Sequence, residues 1–255
     1  MSALHAVILG LVEGVTEFLP ISSTGHLMLA SRLLGLATSE FLKSFEIAIQ
    51  CGAIAAVIWL YGRRLLVQRA LLKRVTVAFL PTMLLGAVWH RTVKTYLLGN
   101  HQVVLWAMFA GGILLILFER WHREPSRASE GAEAVSYRQA LLIGVCQAAA
   151  MVPGVSRSGA TIIGGLALGV RRAAIVEFSF LLAVPTMLAA TGLDLLKSAS
   201  TFSADQLHLL IIGGATSFLV ALASIRWLLR YIQRHDFTMF GVYRIVAALV
   251  FWMVI

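Results

Sequence analysis

Polar residues break this 255-residue chain into long apolar runs. Six runs approach or reach the length of a membrane-crossing helix: about 44–62, 75–90, 102–119, 174–192, 207–226 and 238–255. A span needs about 20 residues, within a range of about 17–25. The second run is short and holds Pro81, and Pro185 predicts a kink in the fourth. Two other regions are apolar but interrupted. Residues 3–35 carry Glu13, Glu17, Pro20, Ser22, Ser23, Thr24 and His26, and residues 138–170 carry Gln147, Pro153, Gly154, Ser156, Arg157 and Ser158. A charge at the bilayer centre costs about 2.5–3.5 kcal/mol on insertion scales. Irregular backbone at that depth is tolerated only where protein buries it or water lines it. Both regions therefore predict re-entrant helical hairpins facing an internal cavity.

The two interrupted regions resemble each other. With an offset of 134 positions, Gly10 falls on Gly144, Glu13 on Gln147, Ser22 on Ser156, Thr24 on Ser158, Gly25 on Gly159 and Gly35 on Gly169. At an offset of 133, Phe45 falls on Phe178 and Gly52 on Pro185. Loop charges then set the orientation. The segment 62–74 holds five basic residues and no acid, and 226–236 holds Arg226, Arg230 and Arg234, so both belong in the cytoplasm. The loop 193–206, with Asp194, Lys197 and Asp205, fits the outside, and helix counting puts 120–138 inside. The first hairpin thus enters from the outer side and the second from the inner side, beside Arg171 and Arg172. Halves of opposite topology place a shared site near the membrane midplane, where broken helices meet. The expected fold is an all-α polytopic membrane protein of about six transmembrane helices plus two re-entrant hairpins, related as an inverted-topology repeat. It forms one membrane domain, 1–255, with half A at about 1–119, half B at about 137–255 and a cytoplasmic loop at about 120–136.

Composition agrees with this reading. The chain is 59% hydrophobic and 13% charged, against about 45–50% and about 25% for a soluble domain. The net charge of +9 would suggest nucleic acid in a soluble protein. Here the basic residues sit in short loops, so nucleic-acid binding is not expected and anionic lipid head groups are. Cys51 and Cys146 lie in apolar runs without metal-ligand spacing and read as buried small residues. The N-terminus lacks a basic region before its apolar stretch, which leads straight to Glu13 and Glu17, so no signal peptide is expected.

Glu13 and Glu17 are four apart and share a helix face. Two carboxylates on an apolar segment repel each other and are costly to desolvate. A divalent cation, a shared proton or a basic partner can offset that. Oxygen-only ligands favour a hard cation, Mg²⁺ or Ca²⁺, over zinc. Ser22, Ser23 and Thr24 precede an apolar helical run, which is capping chemistry, and helix N-terminal amides also bind phosphate. A serine there can attack phosphorus if a base is within reach. His26, close by, suits general acid–base work or a satisfied core position. Arg157 needs an anionic partner within the membrane. Glu13 or Glu17 can supply one, or a phosphate can, since the planar guanidinium suits bidentate binding. Gly154 and Gly159 let backbone approach a ligand. Together these residues suit a phosphate or diphosphate attached to a lipid.

The motifs EGVTEFLPISSTGH (13–26) and PGVSRSGAT (153–161) closely resemble the two signature motifs of bacterial undecaprenyl-diphosphate phosphatases of the bacitracin-resistance type. SFEIAIQCGAIAAV (44–57), YRQALLIG (137–144) and EFSFLLAVPTM (177–187) also resemble family segments, so the likeness covers almost the whole chain. It implies removal of the terminal phosphate from a C55 polyprenyl diphosphate, recycling the lipid carrier for peptidoglycan and conferring bacitracin resistance. It also implies divalent-cation dependence and a site facing the periplasm from the inner membrane. The family's acidic motif falls on Glu13 and Glu17, its serine–histidine motif on Ser22, Ser23, Thr24 and His26, and its arginine motif on Ser156, Arg157 and Ser158, followed by Thr161. The expected nucleophile is Ser23, with Glu13 and Glu17 binding metal or one of them acting through His26 as base. Direct attack by water, with His26 or Glu17 as base, is the competing scheme. Ser22, Thr24, Gly154, Ser156, Arg157, Ser158 and Thr161 are the expected diphosphate contacts. The alternative function is a transporter or flippase of a polyprenyl phosphate, because inverted repeats with broken helices are a transporter design. Paired glycines such as Gly111–Gly112 and Gly213–Gly214 permit close packing within one chain or between two, which leaves a homodimer open.

Overall fold

A computed structural model of the chain describes residues 1–37, 39–92, 96–97, 100–124, 131–198 and 206–254, with backbone alone at 90–92 and 193–198. The described residues form ten α-helices and no strand: α1 (Ala3–Thr16), α2 (Ser23–Leu33), α3 (Glu40–Val67), α4 (Arg69–Thr92), α5 (His101–Trp121), α6 (Tyr137–Ala148), α7 (Arg157–Ala167), α8 (Arg172–Ser198), α9 (Leu207–Tyr231) and α10 (Thr238–Val254).

Several helices start where a side chain accepts an otherwise unpaired amide. Ser2 accepts from His5 N before α1, Ser39 from Leu42 N before α3, and Asn100 from Gln102 N and Val103 N before α5. Ser136 and Gln139 form a reciprocal capping pair at the start of α6. The short helices α2 and α7 end alike. Gly35 (φ +65°) and Gly169 (φ +78°) take the left-handed turn after them. Leu36 N then donates back to Ser31 O, and Val170 N to Gly165 O, which closes both helix ends.

Five helices are long and apolar enough to cross a membrane: α3, α4 over Arg69–Trp89, α5, α8 over Arg172–Gly192, and α9. The sixth expected span, α10, has 17 residues, which at 1.5 Å per residue gives roughly 25 Å. The interrupted regions are helical hairpins, α1 turning into α2 and α6 turning into α7. Pro81 and Pro185 both lie inside helices. Of the expected loops, residues 125–130 and Asp205 lie outside the described residues, as do the side chains of Asp194 and Lys197.

Each half runs hairpin, long helix, long helix, helix, and the halves exchange partners. Helix α1 packs on α9 of the other half, α6 packs on α4, and α5 and α10 pair with each other. The exchange depends on small residues. A Cβ on Gly10 would stand 2.5 Å from Gly213 O. One on Gly144 would run into Ala78 O, and one on Gly52 into Gly214 O. A buried apolar cluster joins both halves through Phe18, Val57, Leu166, Phe178, Phe180 and Ile225. At one end, ion pairs join the halves. Arg64 pairs with both Glu177 and Glu133, and Arg172 with Glu119 at 2.7 Å.

Candidate active site

The hairpin tips meet. After α1 the chain turns through Glu17–Ile21 and enters α2 at Ser22, whose φ and ψ are 75° and 93°. After α6 it turns through 149–155 and enters α7 at Ser156, at 76° and 117°. These serines are the only non-glycine residues with positive φ among the described residues, and their alignment is the one the sequence repeat gave. Such conformations cost on the order of 1–3 kcal/mol each and persist only where surrounding structure holds them.

The surroundings do hold them. Ser156 Oγ accepts from Gly159 N at 3.2 Å and lies 3.1 Å from Ser158 Oγ. Ser158 is fully buried and donates to Leu19 O of the opposite tip at 2.8 Å. Thr161, also buried, bonds the carbonyls of Arg157 and Ser158 and lies 2.6 Å from Ser179 Oγ. Ser158 and Thr161 therefore join the two hairpins and α8, and neither lines the cavity between the tips.

That cavity measures about 160 Å³ and is lined chiefly by Glu17, Ser22, Ser23, Thr24, Gln50, Pro153, Gly154, Ser156 and Arg157. Ser23 Oγ donates to Glu17 Oε2 at 2.6 Å. Arg157 Nη2 donates to Glu17 Oε1 at 3.1 Å, and its Nη1 to Ser179 O at 3.0 Å. The guanidinium carbon stands 5.7 Å from the centre of the Phe18 ring. One carboxylate thus receives a serine hydroxyl on one oxygen and an arginine on the other. Of the two partners the sequence offered Arg157, the structure takes Glu17.

Glu13 lies one turn back, fully buried, with both carboxylate oxygens lacking a hydrogen-bond partner. It is within electrostatic reach of Glu17, Glu46 and Arg157. Its repeat counterpart, Gln147, donates to Thr82 and Thr186 at 2.9 and 3.0 Å. The amide nitrogen is thus paired, whereas Gln147 Oε1, like both oxygens of Glu13, has no hydrogen-bond partner. Two buried carboxyl oxygens beside a second carboxylate form a hard-oxygen donor set once both groups are ionised. No group of three or more His, Cys, Asp or Glu side chains converges on a metal position among the described residues. A cation held there would draw its remaining ligands from substrate and water, as Mg²⁺ commonly does.

His26 faces the other way. Its Nδ1 lies 2.8 Å from Ser22 O, and its Nε2 2.8 Å from the Tyr243 hydroxyl, whose ring stacks on the imidazole. A carbonyl only accepts, so Nδ1 carries the hydrogen, and in the neutral ring Nε2 accepts from Tyr243. Both nitrogens are occupied, and His26 is not among the cavity residues. The structure brings together Glu17, Ser22, Ser23, Thr24, Gly154, Ser156 and Arg157 around the cavity, leaves Glu13 buried one turn behind it, and redirects His26 to the back of the serine turn. Gly154 (φ +95°) is required less for a ligand than for α5, because a Cβ there would run into Val104 O.

The residues of 6–250 match the family described as Bacitracin resistance protein BacA. The chain belongs to the BacA family. Relatives named undecaprenyl-diphosphatase align along nearly their whole length. The protein of Sulfurihydrogenibium sp. is 49% identical over 99% of both chains. That of Aquifex aeolicus is 46% identical over 98% of both. That of Thermus thermophilus is 47% identical, over 98% of this chain and 97% of its own.

Sequence reasoning passed over Gln50, Ser179, Tyr243 and Arg244. For the last, a signal existed. Arg244 is the one charged residue in the apolar run 238–255, and an ionisable residue at membrane depth points to function.

Proposed function

We propose that this chain dephosphorylates undecaprenyl diphosphate to undecaprenyl phosphate and inorganic phosphate, with Ser23 as nucleophile and Glu17 as its base. The observation that carries the mechanism is the 2.6 Å hydrogen bond from Ser23 Oγ to Glu17 Oε2. A serine attacks only when a base takes its proton, and this one is already donating to a carboxylate. That bond suits phosphoryl transfer, and the relatives named undecaprenyl-diphosphatase favour the phosphatase over the transporter.

Ser23 Oγ attacks the terminal phosphorus while its proton passes to Glu17. The bridging P–O bond breaks and the polyprenyl phosphate leaves. Water then hydrolyses the phosphoserine, releasing phosphate and restoring the hydroxyl. Arg157 exchanges Glu17 for phosphate oxygens, for which its fork is suited. Ser22, Thr24, Ser156 and the amides opening α2 and α7 surround the diphosphate. His26 holds Ser22 in its strained turn. Glu13 and Glu17 are the residues that would hold Mg²⁺ or Ca²⁺. Such an ion, when bound, neutralises charge on the transferring phosphoryl group. The basic segments near Arg64 and Arg226 favour a cytoplasmic position for their end of the bundle, which puts the loop after α2 on the periplasmic side of the inner membrane.

The test is phosphate release from a polyprenyl diphosphate by pure protein in detergent, where transport has no meaning. Release together with a phosphoserine trapped at Ser23 is expected. Activity retained by Ser23→Ala would replace the serine with direct attack by water, and absence of release with Mg²⁺ or Ca²⁺ present would return the chain to the transporter reading.

A further inference from the structure

Arg244 is 2% exposed, and all five of its N–H groups meet backbone carbonyls. Nε donates to Met108 O at 3.2 Å. Nη1 donates to Pro20 O at 3.3 Å and Val155 O at 3.0 Å. Nη2 donates to Ala107 O and Gly154 O, both at 3.0 Å. Pro20 belongs to the first hairpin tip, Gly154 and Val155 to the second, and Ala107 and Met108 to α5. One side chain of α10 therefore ties both tips to the α5–α10 pair.

The tied carbonyls lie next to the strained serines. Pro20 stands two residues before Ser22, and Val155 immediately before Ser156. A trans peptide holds its C=O and N–H on opposite sides. Turning Val155 O toward Arg244 therefore turns Ser156 N–H away from it, and Ser156 lines the cavity. The neighbouring glycines leave room for this arrangement. A Cβ on Gly111 would run into Arg244 Nη2, and one on Gly159 would stand 3.4 Å from Nη1.

We propose that Arg244 is a positioning residue for phosphoryl transfer: through carbonyls alone it fixes the register of the two hairpin tips, and so the placement of Ser23 against Arg157. It touches neither residue and, in this role, does not contact the substrate. The inference rests on the reading of Ser23 and Arg157 as reacting and clamping groups. It also explains why an arginine occupies this place. Lysine brings three donors on one atom and cannot span five carbonyls from three elements.

The test compares Arg244→Lys and Arg244→Ala with Trp252→Ala. Trp252 also joins α10 to α5, through Trp106, Phe109 and Gln102, away from the tips. Arg244→Lys is expected to lower kcat about 100-fold, the scale of a 1 Å misplacement, with KM little changed. Trp252→Ala, at an equal or larger loss of Tm, is expected to keep kcat near that of the parent. Added guanidinium ion is expected to restore part of kcat in Arg244→Ala and nothing in Trp252→Ala. The proposal is overturned if Arg244→Lys and Trp252→Ala lose kcat in proportion to Tm, or if guanidinium restores nothing. Ser23→Ala serves as the separate control. If it stays active, the nucleophile is misassigned, whereas the kcat effect and guanidinium rescue at Arg244 still decide the positioning role.

Discussion

Glu17 and Arg157 come from opposite halves of the chain, 140 positions apart, and meet at 3.1 Å with both side chains nearly buried. Neither half has a complete site. The first supplies the hydroxyl and its acceptor, and the second supplies the cation that holds the acceptor still.

Glu17→Gln keeps the shape and one hydrogen-bond acceptor but removes the base. Its kcat should fall by about 10²–10⁴-fold, the usual contribution of a positioned base. Steady-state phosphate release measures this, and near-normal turnover would assign the proton to another group.

A double-mutant cycle over Glu17→Gln and Arg157→Gln should show coupling of about 0.5–3 kcal/mol in stability, because the two share one buried ion pair. Additive losses of Tm would mean that Arg157 is held mainly by Ser179 O and the Phe18 ring.

Glu13→Gln should raise Tm in the presence of a chelator. It removes a buried acid that sits beside the like group of Glu17, so neither desolvation nor repulsion opposes burial of the amide to the same degree. The same variant should lose the rise in Tm that Mg²⁺ or Ca²⁺ gives the parent, since a ligand stabilises only the state it binds. A variant that is less stable in chelator, or still stabilised by the cation, contradicts the metal assignment.

Gly144→Ala should destabilise by about 1–3 kcal/mol, because its Cβ would meet the α4 backbone at Ala78 O and overpacking must move a helix. Gly214→Ala meets nothing within 4 Å. It should stabilise by about 0.5–1 kcal/mol through helix propensity. Thermal unfolding in one detergent compares the two.

Cysteine labelling tests the orientation. In a chain freed of Cys51 and Cys146, Ala37→Cys should react with a membrane-impermeant thiol reagent in intact spheroplasts. Lys73→Cys should react only after lysis. The reverse pattern would invert the protein.

Much of this was legible because membrane burial makes polar residues conspicuous. The hairpins could be read from Glu13, Glu17 and Arg157, since an apolar run does not carry such groups without a reason. The repeat offset predicted that Ser22 and Ser156 are counterparts, and they share an unusual backbone conformation. The exchange of helices between halves was not legible, because Gly10 and Gly144 announce close packing without naming the partner. His26 was read from its neighbours in sequence, yet its nitrogens are engaged by Ser22 and by Tyr243 on a helix 217 positions away. Arg244 went unread although the rule that singled out Arg157 applied to it equally. What the sequence could not convey was that its partners are carbonyls rather than acids.

The exchange of partners between halves also sets a timetable. Helix α1 ends at Thr16, and the helix it packs against begins at Leu207. At about 5–20 residues per second, synthesis leaves the first hairpin without its neighbour for roughly 10–40 s. Until then Gly10 and Gly14 lack the helix they pack against. The residue that ties the two tips, Arg244, emerges later still. A chain stalled before residue 244 would hold Ser23 and Glu17 without the side chain that ties the two tips together.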